Sequence, residues 1–271
     1  MKNAMSEKNE SGARLSVVVP VYNEEATLRE VVSKVLALPN LLEVIVVDDG
    51  STDRTAEVAR SVAEANPRVR LERLGSNSGK TAALRAGFAL TRGEVVIVQD
   101  ADLEYDPAEI PTVVQPILEG YADVVYGSRF LVRKAARVLY FYHFLANKLL
   151  TFLSNALTNL NMTDIETGYK AFRGEIIRNM LVTSSGFGFE VEVTAKVAKL
   201  RCAVYEVPIS YYGRTYEEGK KIFFRDGLKA LWLVFRFNLF CPLRSSYARV
   251  PVLRKAARHG FPAVHDGELY G

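Results

Sequence analysis

The segment Val95-Val96-Ile97-Val98-Gln99-Asp100-Ala101-Asp102-Leu103-Glu104 decides the fold of this chain. Its first four residues are β-branched and apolar, which is typical of a strand buried on both faces. Asp is rare inside strands, so we expect Asp100 and Asp102 to lie beyond the carboxyl end of the strand, where open α/β sheets bind ligands. Alternating carboxylates are suitable oxygen ligands for Mg²⁺ or Mn²⁺. A polar turn leading into a helix near Asp106 explains the same residues equally well, so this motif needs support from others.

The composition indicates a globular chain. Of its 271 residues, 49% are hydrophobic and 24% are charged, enough for one large domain with a substantial core. The net charge of +4 is modest, and we expect no nucleic-acid partner. Cys202 and Cys241 follow no metal or redox spacing, so a reducing compartment is the default. Residues 1–14 are polar and are expected to be flexible, without the apolar core of a signal peptide.

Strand and helix patterns alternate along the first two thirds of the chain. We predict strands at 15–21, 42–47, 69–73, 94–98, 123–126 and 204–210, with another at the end of 164–172. Helical spacing of apolar residues predicts helices at 27–38, 55–65, 80–90, 108–119 and 188–199. Asp53 is expected to cap the helix that begins at Thr55. This alternation predicts an α/β fold with a mostly parallel sheet flanked by helices.

Two later segments combine aromatic, aliphatic and basic residues. Residues 130–160 and 222–241 have helical spacing, and neither contains a charge-free stretch long enough to span a membrane. They could be ordinary bundle helices, or amphipathic helices that lie on a lipid surface. The predicted organisation is a domain at 15–221, an amphipathic membrane-surface helix at 222–241 and a loosely held basic tail at 242–271.

Polar residues also follow the first and second predicted strands and precede the third predicted helix. Tyr22 and Glu24 follow the first strand, where a nucleoside could stack and hydrogen-bond, although a helix-capping turn would use the same residues. Asp48-Asp49-Gly50-Ser51 follows the second strand and offers a carboxylate to a base or ribose. Asn77-Ser78-Gly79-Lys80 could hold phosphate through backbone N–H groups and the Lys80 ammonium. Neither a Walker loop nor a G-x-G-x-x-G motif is present, which disfavours P-loop ATPases and dinucleotide-dependent dehydrogenases.

Taken in order, these motifs resemble the signature of family 2 glycosyltransferases. The chain is most similar to the branch that transfers a sugar to polyprenyl phosphate, the dolichyl-phosphate mannose or glucose synthases and their bacterial relatives. The resemblance runs from about Leu15 to Asp226. It implies a GT-A fold, an inverting mechanism and a divalent metal, Mg²⁺ or Mn²⁺.

The resemblance also implies roles for individual residues. The nucleotide-sugar-binding residues would be Pro20, Tyr22, Glu24, Asp49, Gly79, Lys80, Asp100 and Ala101. The metal and diphosphate would be bound by Asp100, Asp102 and Glu104, and the catalytic residues would be Asp102, Arg129, Asp164, Arg214 and Lys220. The form Glu217-Glu218-Gly219-Lys220-Lys221 is similar to bacterial glucose-transferring relatives, which favours UDP-glucose over GDP-mannose.

The implied acceptor explains why no general base is obvious in these motifs. A phosphate monoester is mostly dianionic at neutral pH and is already a nucleophile, so alignment and cations are what the protein must supply. His143, His259 and His265 lie outside the motifs and are expected to be structural or on the surface. The partners implied are a nucleotide sugar, a polyprenyl (undecaprenyl or dolichyl) phosphate and the cytoplasmic face of a membrane, where the protein would be peripheral. The oligomeric state is open.

Two other interpretations stay open at the level of sequence. In one, the fold is kept and the acceptor is a hydroxyl of a glycan or protein, which would require a carboxylate base such as Asp164. In the other, the chain is a non-catalytic nucleotide-sugar-binding or membrane scaffold protein. The Asp100/Asp102 pair and Lys220 argue against the second.

Overall fold

One mixed sheet organises the molecule. The computed structural model describes residues 14–131, 138, 140–213 and 224–253. Its seven strands have the order β3-β2-β1-β4-β6-β5-β7, and every neighbouring pair is parallel except those of β6, which is antiparallel to both β4 and β5. The strands are β1 Leu15–Val21, β2 Leu41–Asp48, β3 Val69–Arg73, β4 Val95–Val98, β5 Val124–Ser128, β6 Lys170–Arg173 and β7 Val204–Pro208. The mostly parallel sheet predicted from the sequence is therefore confirmed, and the direction of β6 is new.

The helices follow the predicted order, and most of their ends shift by a few residues. They are α1 Leu28–Leu36, α2 Thr55–Ala65, α3 Lys80–Leu90, α4 Ile110–Leu118, α5 Phe141–Thr158, α6 Gly174–Asn179, α7 Phe189–Leu200, α8 Phe224–Leu239 and α9 Leu243–Ser246. The segment 130–160, which has helical spacing, is a helix from Phe141 to Thr158, and its residues 132–137 and 139 lie outside the described part of the chain. A 3-10 turn at Pro107–Glu109 precedes α4, where the sequence predicts the start of a single helix. The short helices α6 and α9 were not predicted.

The core lies on both faces of the sheet. Alternate residues of the central strands point to opposite sides, as the two-residue period of a strand requires. On one side, Val18 of β1 and Val96 of β4 pack with apolar residues of α3, α7 and α8. On the other side, Val17 and Val95 pack with α1 and α4. Strands this apolar are consistent with burial by helices on both faces.

The C-terminal part of the described chain is integrated into this core. Ala230, Leu233, Val234 and Phe237 of α8 are buried with residues of α7, so α8 is not a separate appendage. Tyr247 is 2% exposed, and its hydroxyl donates a hydrogen bond to the Lys196 carbonyl (3.0 Å). The prediction of a loosely held tail from Pro242 is therefore wrong for residues 242–253; residues 254–271 lie outside the described part, as do residues 1–13.

Asp53 does stabilise the start of α2, as predicted. Its carboxylate accepts a hydrogen bond from the Thr55 backbone N–H (2.9 Å), while the N-cap position itself is Arg54. The Thr55 hydroxyl in turn accepts a hydrogen bond from the Glu24 backbone N–H (2.8 Å). The turns after β1 and β2 are thereby joined, which holds the residues after both strands at one edge of the sheet.

Candidate active site

A cavity of about 880 Å³ lies where β1, β2 and β4 end. These strands are parallel, so the polar residues that follow them meet at one edge of the sheet. The predicted site residues that line the cavity are Pro20, Tyr22, Glu24, Asp49, Lys80, Asp100, Ala101, Asp102, Glu104 and Arg129. Gly79 and Asp164 are not among its lining residues, and Arg214 and Lys220 lie outside the described residues.

Asp49 holds the loop that precedes α3. Its two carboxylate oxygens accept hydrogen bonds from the backbone N–H groups of Ser78 (2.8 Å) and Gly79 (2.7 Å). Asp49 is only 3% exposed, so most of its hydrogen-bonding capacity is directed to the protein. Gly79 is therefore placed by Asp49, and the loop it belongs to positions the following residue, Lys80, in the cavity.

Lys80 links two acidic residues that are far apart in the sequence. Its ammonium lies 2.8 Å from Asp100 Oδ1 and 3.7 Å from Glu190 Oε1. Burial alone would lower the pKa of Lys80, but the carboxylates of Asp100 and Glu190 outweigh burial and raise it above its ordinary value. Lys80 is therefore an ammonium ion that partly neutralises the acidic end of the cavity.

The turn after β4 presents Asp102 and Glu104 to the cavity. Leu103 adopts a left-handed backbone conformation (φ 60°), which is uncommon for a bulky residue. Asp102 Oδ1 accepts the Glu104 backbone N–H (3.1 Å), and Glu104 Oε2 accepts the Tyr211 hydroxyl (2.8 Å). Within the described part of the chain, no three acidic, His or Cys side chains are grouped closely enough to form a ready-made metal centre.

Arg129 and Asp164 form a buried bidentate pair. Arg129 Nε and Nη2 donate to the two oxygens of Asp164 at 2.7 and 2.8 Å, and the Asp164 side chain is 0% exposed. Burial by itself would raise the pKa of Asp164, but the charge and hydrogen bonds of Arg129 lower it, so Asp164 is ionised at neutral pH. Asp164 was predicted to contact sugar or acceptor; in the structure it contacts Arg129, which lines the cavity.

A glycine allows the chain after Asp164 to approach the carboxylates. A Cβ atom at Gly168 would lie 2.6 Å from Asp100 Oδ2 and 2.8 Å from the Tyr105 ring, so a larger residue would displace one of them. The Gly168 backbone N–H donates to the Tyr105 hydroxyl (2.9 Å), and Tyr105 stacks on Tyr169. The segment before β6 is thereby fixed against the turn that carries Asp100.

Two further carboxylates, Glu166 and Glu190, line the cavity and had no individual role in the sequence-based prediction. They lie in the segments 164–170 and 187–190, which the resemblance places on the acceptor side of the pocket. Burial, and then the charge of Glu190, raise the pKa of Glu166 to about 7. Burial lowers the pKa of the neighbouring Lys170 to about 8, despite the opposing effect of Glu190 and Glu166. The sequence signal that could have identified Glu166 and Glu190 is that both are acidic residues with apolar neighbours in the chain.

The wall of the cavity that α5 and α8 form carries an apolar patch. Ala146 and Leu150 come from α5 and Ala230 and Leu233 from α8, beside the polar side chains of Asn147 and Lys229. His143, which was expected to be structural or on the surface, also lines the cavity, and His259 and His265 lie outside the described residues. The cavity therefore runs from a carboxylate-rich end at the sheet to an apolar end between two helices.

The outer surfaces of α5 and α8 are also apolar, and we call them the aromatic face. On α8, Leu228, Trp232, Phe235 and Leu239 are exposed and recur at the spacing of one helical stripe. On α5 the corresponding exposed residues are Phe141, Tyr142, Leu145, Leu149 and Phe152. The two helices pack against each other, so the stripes belong to one region of the surface. None of the helices in the described ranges combines the length and apolar character needed to cross a bilayer.

A family model and several curated relatives match this chain. Residues 16–181 match the model described as Glycosyl transferase family 2. The polyprenol monophosphomannose synthase of Mycolicibacterium smegmatis is 33% identical over 74% of this chain and 78% of its own length. The undecaprenyl-phosphate 4-deoxy-4-formamido-L-arabinose transferase of Edwardsiella ictaluri is 34% identical over 76% of this chain, which spans 62% of that relative's length. The dolichol-phosphate mannosyltransferase of Pyrococcus furiosus is 32% identical over 78% of this chain and 61% of its own length.

Solved structures match the fold. The glucosyl-3-phosphoglycerate synthase of Mycobacterium tuberculosis, in complex with phosphoglyceric acid, has a TM-score of 0.64 at 23% identity over 84% of this chain and 81% of that chain. The same enzyme in complex with Mn²⁺, UDP and glucosyl-3-phosphoglycerate matches equally well, with a TM-score of 0.64. The predicted GT-A fold is thereby confirmed. With the family model covering most of the domain and the carboxylates meeting at the edge of the sheet, the chain belongs to glycosyl transferase family 2.

Proposed function

We propose that this protein transfers a hexose, with inversion, from a nucleotide sugar to a polyprenyl phosphate. One observation carries the proposal: a single cavity connects carboxylates at the edge of the sheet with an apolar wall between α5 and α8. A nucleotide sugar suits the first end and a prenyl chain suits the second. Relatives named as transferases or synthases acting on undecaprenyl phosphate, polyprenol and dolichol phosphate support the acceptor class.

The donor nucleotide would lie across the ends of β1, β2 and β4. Tyr22 is 39% exposed on the cavity wall and offers a ring for stacking, with Glu24 beside it. Lys80 offers a cation for the diphosphate. UDP-glucose remains the favoured donor and GDP-mannose the second, because residues 217–221 have the form found in glucose-transferring relatives.

Asp100, Asp102 and Glu104 would hold Mg²⁺ or Mn²⁺ with the donor diphosphate. Carboxylate oxygens are the ligands these ions prefer, and all three residues line the cavity, so they suit such a metal by their chemistry, although they do not form a ready-made centre. Because Asp100 is paired with Lys80 and Glu104 with Tyr211, the diphosphate oxygens would have to complete the coordination. The metal, when bound, supplies positive charge that stabilises the departing nucleoside diphosphate.

The protein's own contribution to the reaction is alignment and positive charge. A phosphate oxygen of the acceptor attacks the anomeric carbon while the bond from that carbon to the diphosphate breaks, and no proton needs to be removed from a dianionic phosphate. Arg129, oriented by Asp164, can direct its remaining N–H groups to a phosphate. Asp164 is therefore proposed as a positioning residue, and Arg214 and Lys220 are proposed to add cations at the acceptor.

The lipid acceptor requires contact with a membrane, and the aromatic face is suited to it. Exposed Trp232 and Phe141 could enter the lipid boundary, while Lys229 and Arg236, also exposed on α8, meet the headgroups. We therefore propose peripheral binding at the cytoplasmic face of a membrane. The apolar end of the cavity adjoins this surface, so the prenyl chain would enter from it.

Transfer of radiolabelled sugar tests the proposal. The purified chain is incubated with undecaprenyl or dolichyl phosphate and either UDP-glucose or GDP-mannose, with Mn²⁺ or with a chelator. We expect a chloroform-soluble product that depends on the metal. Asp102→Asn should lower the rate by about a hundred-fold or more, because one donor for the metal is lost. Asp106→Asn is the matched control, since Asp106 caps the next turn and does not line the cavity.

Label that remains in water with both donors would contradict the lipid acceptor. Transfer to a glycan or protein hydroxyl under the same conditions would favour that acceptor instead. A protein that binds nucleotide sugars but neither transfers nor hydrolyses them would be a binding or scaffold protein.

A further inference from the structure

Glu166 and Glu190 each present a buried oxygen that has no hydrogen-bond partner. Within the described residues, Glu166 Oε1 and Glu190 Oε2 are inaccessible to solvent and accept no hydrogen bond from the protein. Buried polar atoms in folded proteins are nearly always satisfied, and a buried carboxylate oxygen without a donor is costly. Both side chains line the cavity, so a small rotation of either carboxylate would let a bound molecule supply the missing donors.

The position of the two carboxylates limits what that molecule can be. Glu190, in the first turn of α7 and 6% exposed, is joined to Asp100 through Lys80. Glu166 lies four residues before Lys170, in the segment that Gly168 brings against Asp100. The pair therefore lies next to Asp100, one of the carboxylates proposed to hold the metal and the diphosphate.

The chemistry of carboxylates excludes phosphate from this position. A diphosphate or a phosphate monoester brings only acceptor oxygens at neutral pH, so it cannot donate a hydrogen bond to either buried oxygen. A prenyl chain brings no hydrogen-bond donors. A sugar ring brings several hydroxyl donors and no charge, and hydrogen bonds from hydroxyls to carboxylates are stronger than neutral ones.

We propose that Glu166 and Glu190 form the subsite for the transferred sugar and accept hydrogen bonds from its hydroxyl groups. This inference rests on the proposed function, since it assumes a nucleotide-sugar donor, but it does not depend on the acceptor.

Binding of donors with and without the sugar tests the subsite directly. Isothermal titration with Mg²⁺ compares UDP with UDP-glucose, and GDP with GDP-mannose, for the wild type and for Glu190→Gln. Gln keeps the shape and loses the charge. We expect the variant to bind the sugar nucleotide about ten-fold more weakly, and the free nucleoside diphosphate within about two-fold of the wild type.

Glu24→Gln is the matched control, because Glu24 is at the nucleoside end of the same cavity. Glu24→Gln should lower the affinity for the nucleoside diphosphate and the affinity for the sugar nucleotide by the same factor. Thermal unfolding of each variant checks that it folds. Glu166→Gln provides a second test, in which we again expect weaker binding of the sugar nucleotide and nearly unchanged binding of the nucleoside diphosphate.

Three results would overturn the subsite. These are equal weakening of both ligands by Glu190→Gln, unchanged affinity for the sugar nucleotide, and failure of the wild type to bind either nucleotide. The last would also overturn the proposed function. If Glu190→Gln weakens binding of the sugar nucleotide alone and no lipid product forms, the subsite is supported and only the polyprenyl phosphate acceptor is refuted.

Discussion

At the scale of single residues, the main change from the sequence-based hypothesis concerns Asp164. A carboxylate in a polar motif was expected to meet the substrate, but its two oxygens are bound by Arg129 and it is fully buried. Asn147 Nδ2 adds a further hydrogen bond to Oδ1 at 3.3 Å. A guanidinium held this way is fixed in direction, which is what alignment of a phosphate requires. Asp164 therefore acts through Arg129.

Glu166 gives a pH-dependent stability that can be measured. Burial raises its pKa from 4.5 to about 7, so the folded chain keeps a proton that the unfolded chain releases between these values. The stabilisation is fully present below pH 4.5 and is lost as the pH rises to about 7. In metal-free buffer, the free energy of unfolding should fall across this range. Glu166→Gln should remove the contribution of Glu166 to that decrease.

Urea unfolding at several pH values between 4.5 and 7 makes this measurement. Glu64→Gln, at an exposed position on α2, is the control for loss of one carboxylate and should keep the wild-type slope. An unchanged slope in Glu166→Gln would show that Glu166 ionises in the folded chain as it does in the unfolded one.

At the scale of elements, α3 determines where Lys80 lies. The helix packs closely on the sheet at Gly87, where a Cβ atom would lie 2.4 Å from Val18 Cγ1 and 3.1 Å from Val47 Cγ2. Helix propensity alone favours Ala over Gly by about 1 kcal/mol. Contact with two buried valines outweighs that preference, because a packed core resists added volume. The glycine thus sets the distance between α3 and β1.

Gly87→Ala should therefore lower the free energy of unfolding by about 1–3 kcal/mol, despite the better helix propensity of Ala. Chemical denaturation measures it. Ala89→Gly, at an exposed position of the same helix, is the companion variant and should cost about 1 kcal/mol through propensity alone. A gain in stability for Gly87→Ala would mean that α3 lies farther from the sheet than the structure shows.

At the scale of the whole molecule, α5 and α8 have apolar residues on two sides. One stripe of α8 is buried in the core, and the other, with Trp232, is exposed on the aromatic face. Exposed apolar surface of this extent normally marks an interaction site. Its position beside the apolar end of the cavity supports a lipid surface as the partner.

Trp232→Glu should reduce binding to vesicles of anionic and zwitterionic phospholipids by about ten-fold or more, because an aromatic anchor is replaced by a charge. Co-sedimentation of the full chain with vesicles measures it. Tyr205→Glu is the matched control, since Tyr205 is an exposed aromatic residue on the edge strand β7. Equal loss in both variants would point to general destabilisation, and no loss in either would contradict the membrane role.

Local patterns determined much of this protein by themselves. The runs at β1, β2 and β4 predict buried strands because each run is continuous and β-branched. The polar residues after them predict a site because chain polarity brings the ends of parallel strands to one edge. The order of strands and polar turns along the chain is therefore enough to predict that Tyr22, Lys80, Asp100 and Asp102 lie close together, and all four line one cavity.

Only the tertiary structure decided the rest. The antiparallel insertion of β6 between β4 and β5 depends on pairing between distant segments, and no local pattern encodes direction. The contacts of several side chains also depend on distant segments. Asp164 is buried in a pair with Arg129, and Glu166 and Glu190 line one cavity with Lys80. Sequence supplies the chemical groups, but whether a carboxylate meets a guanidinium, a substrate or nothing depends on packing between elements far apart in the chain.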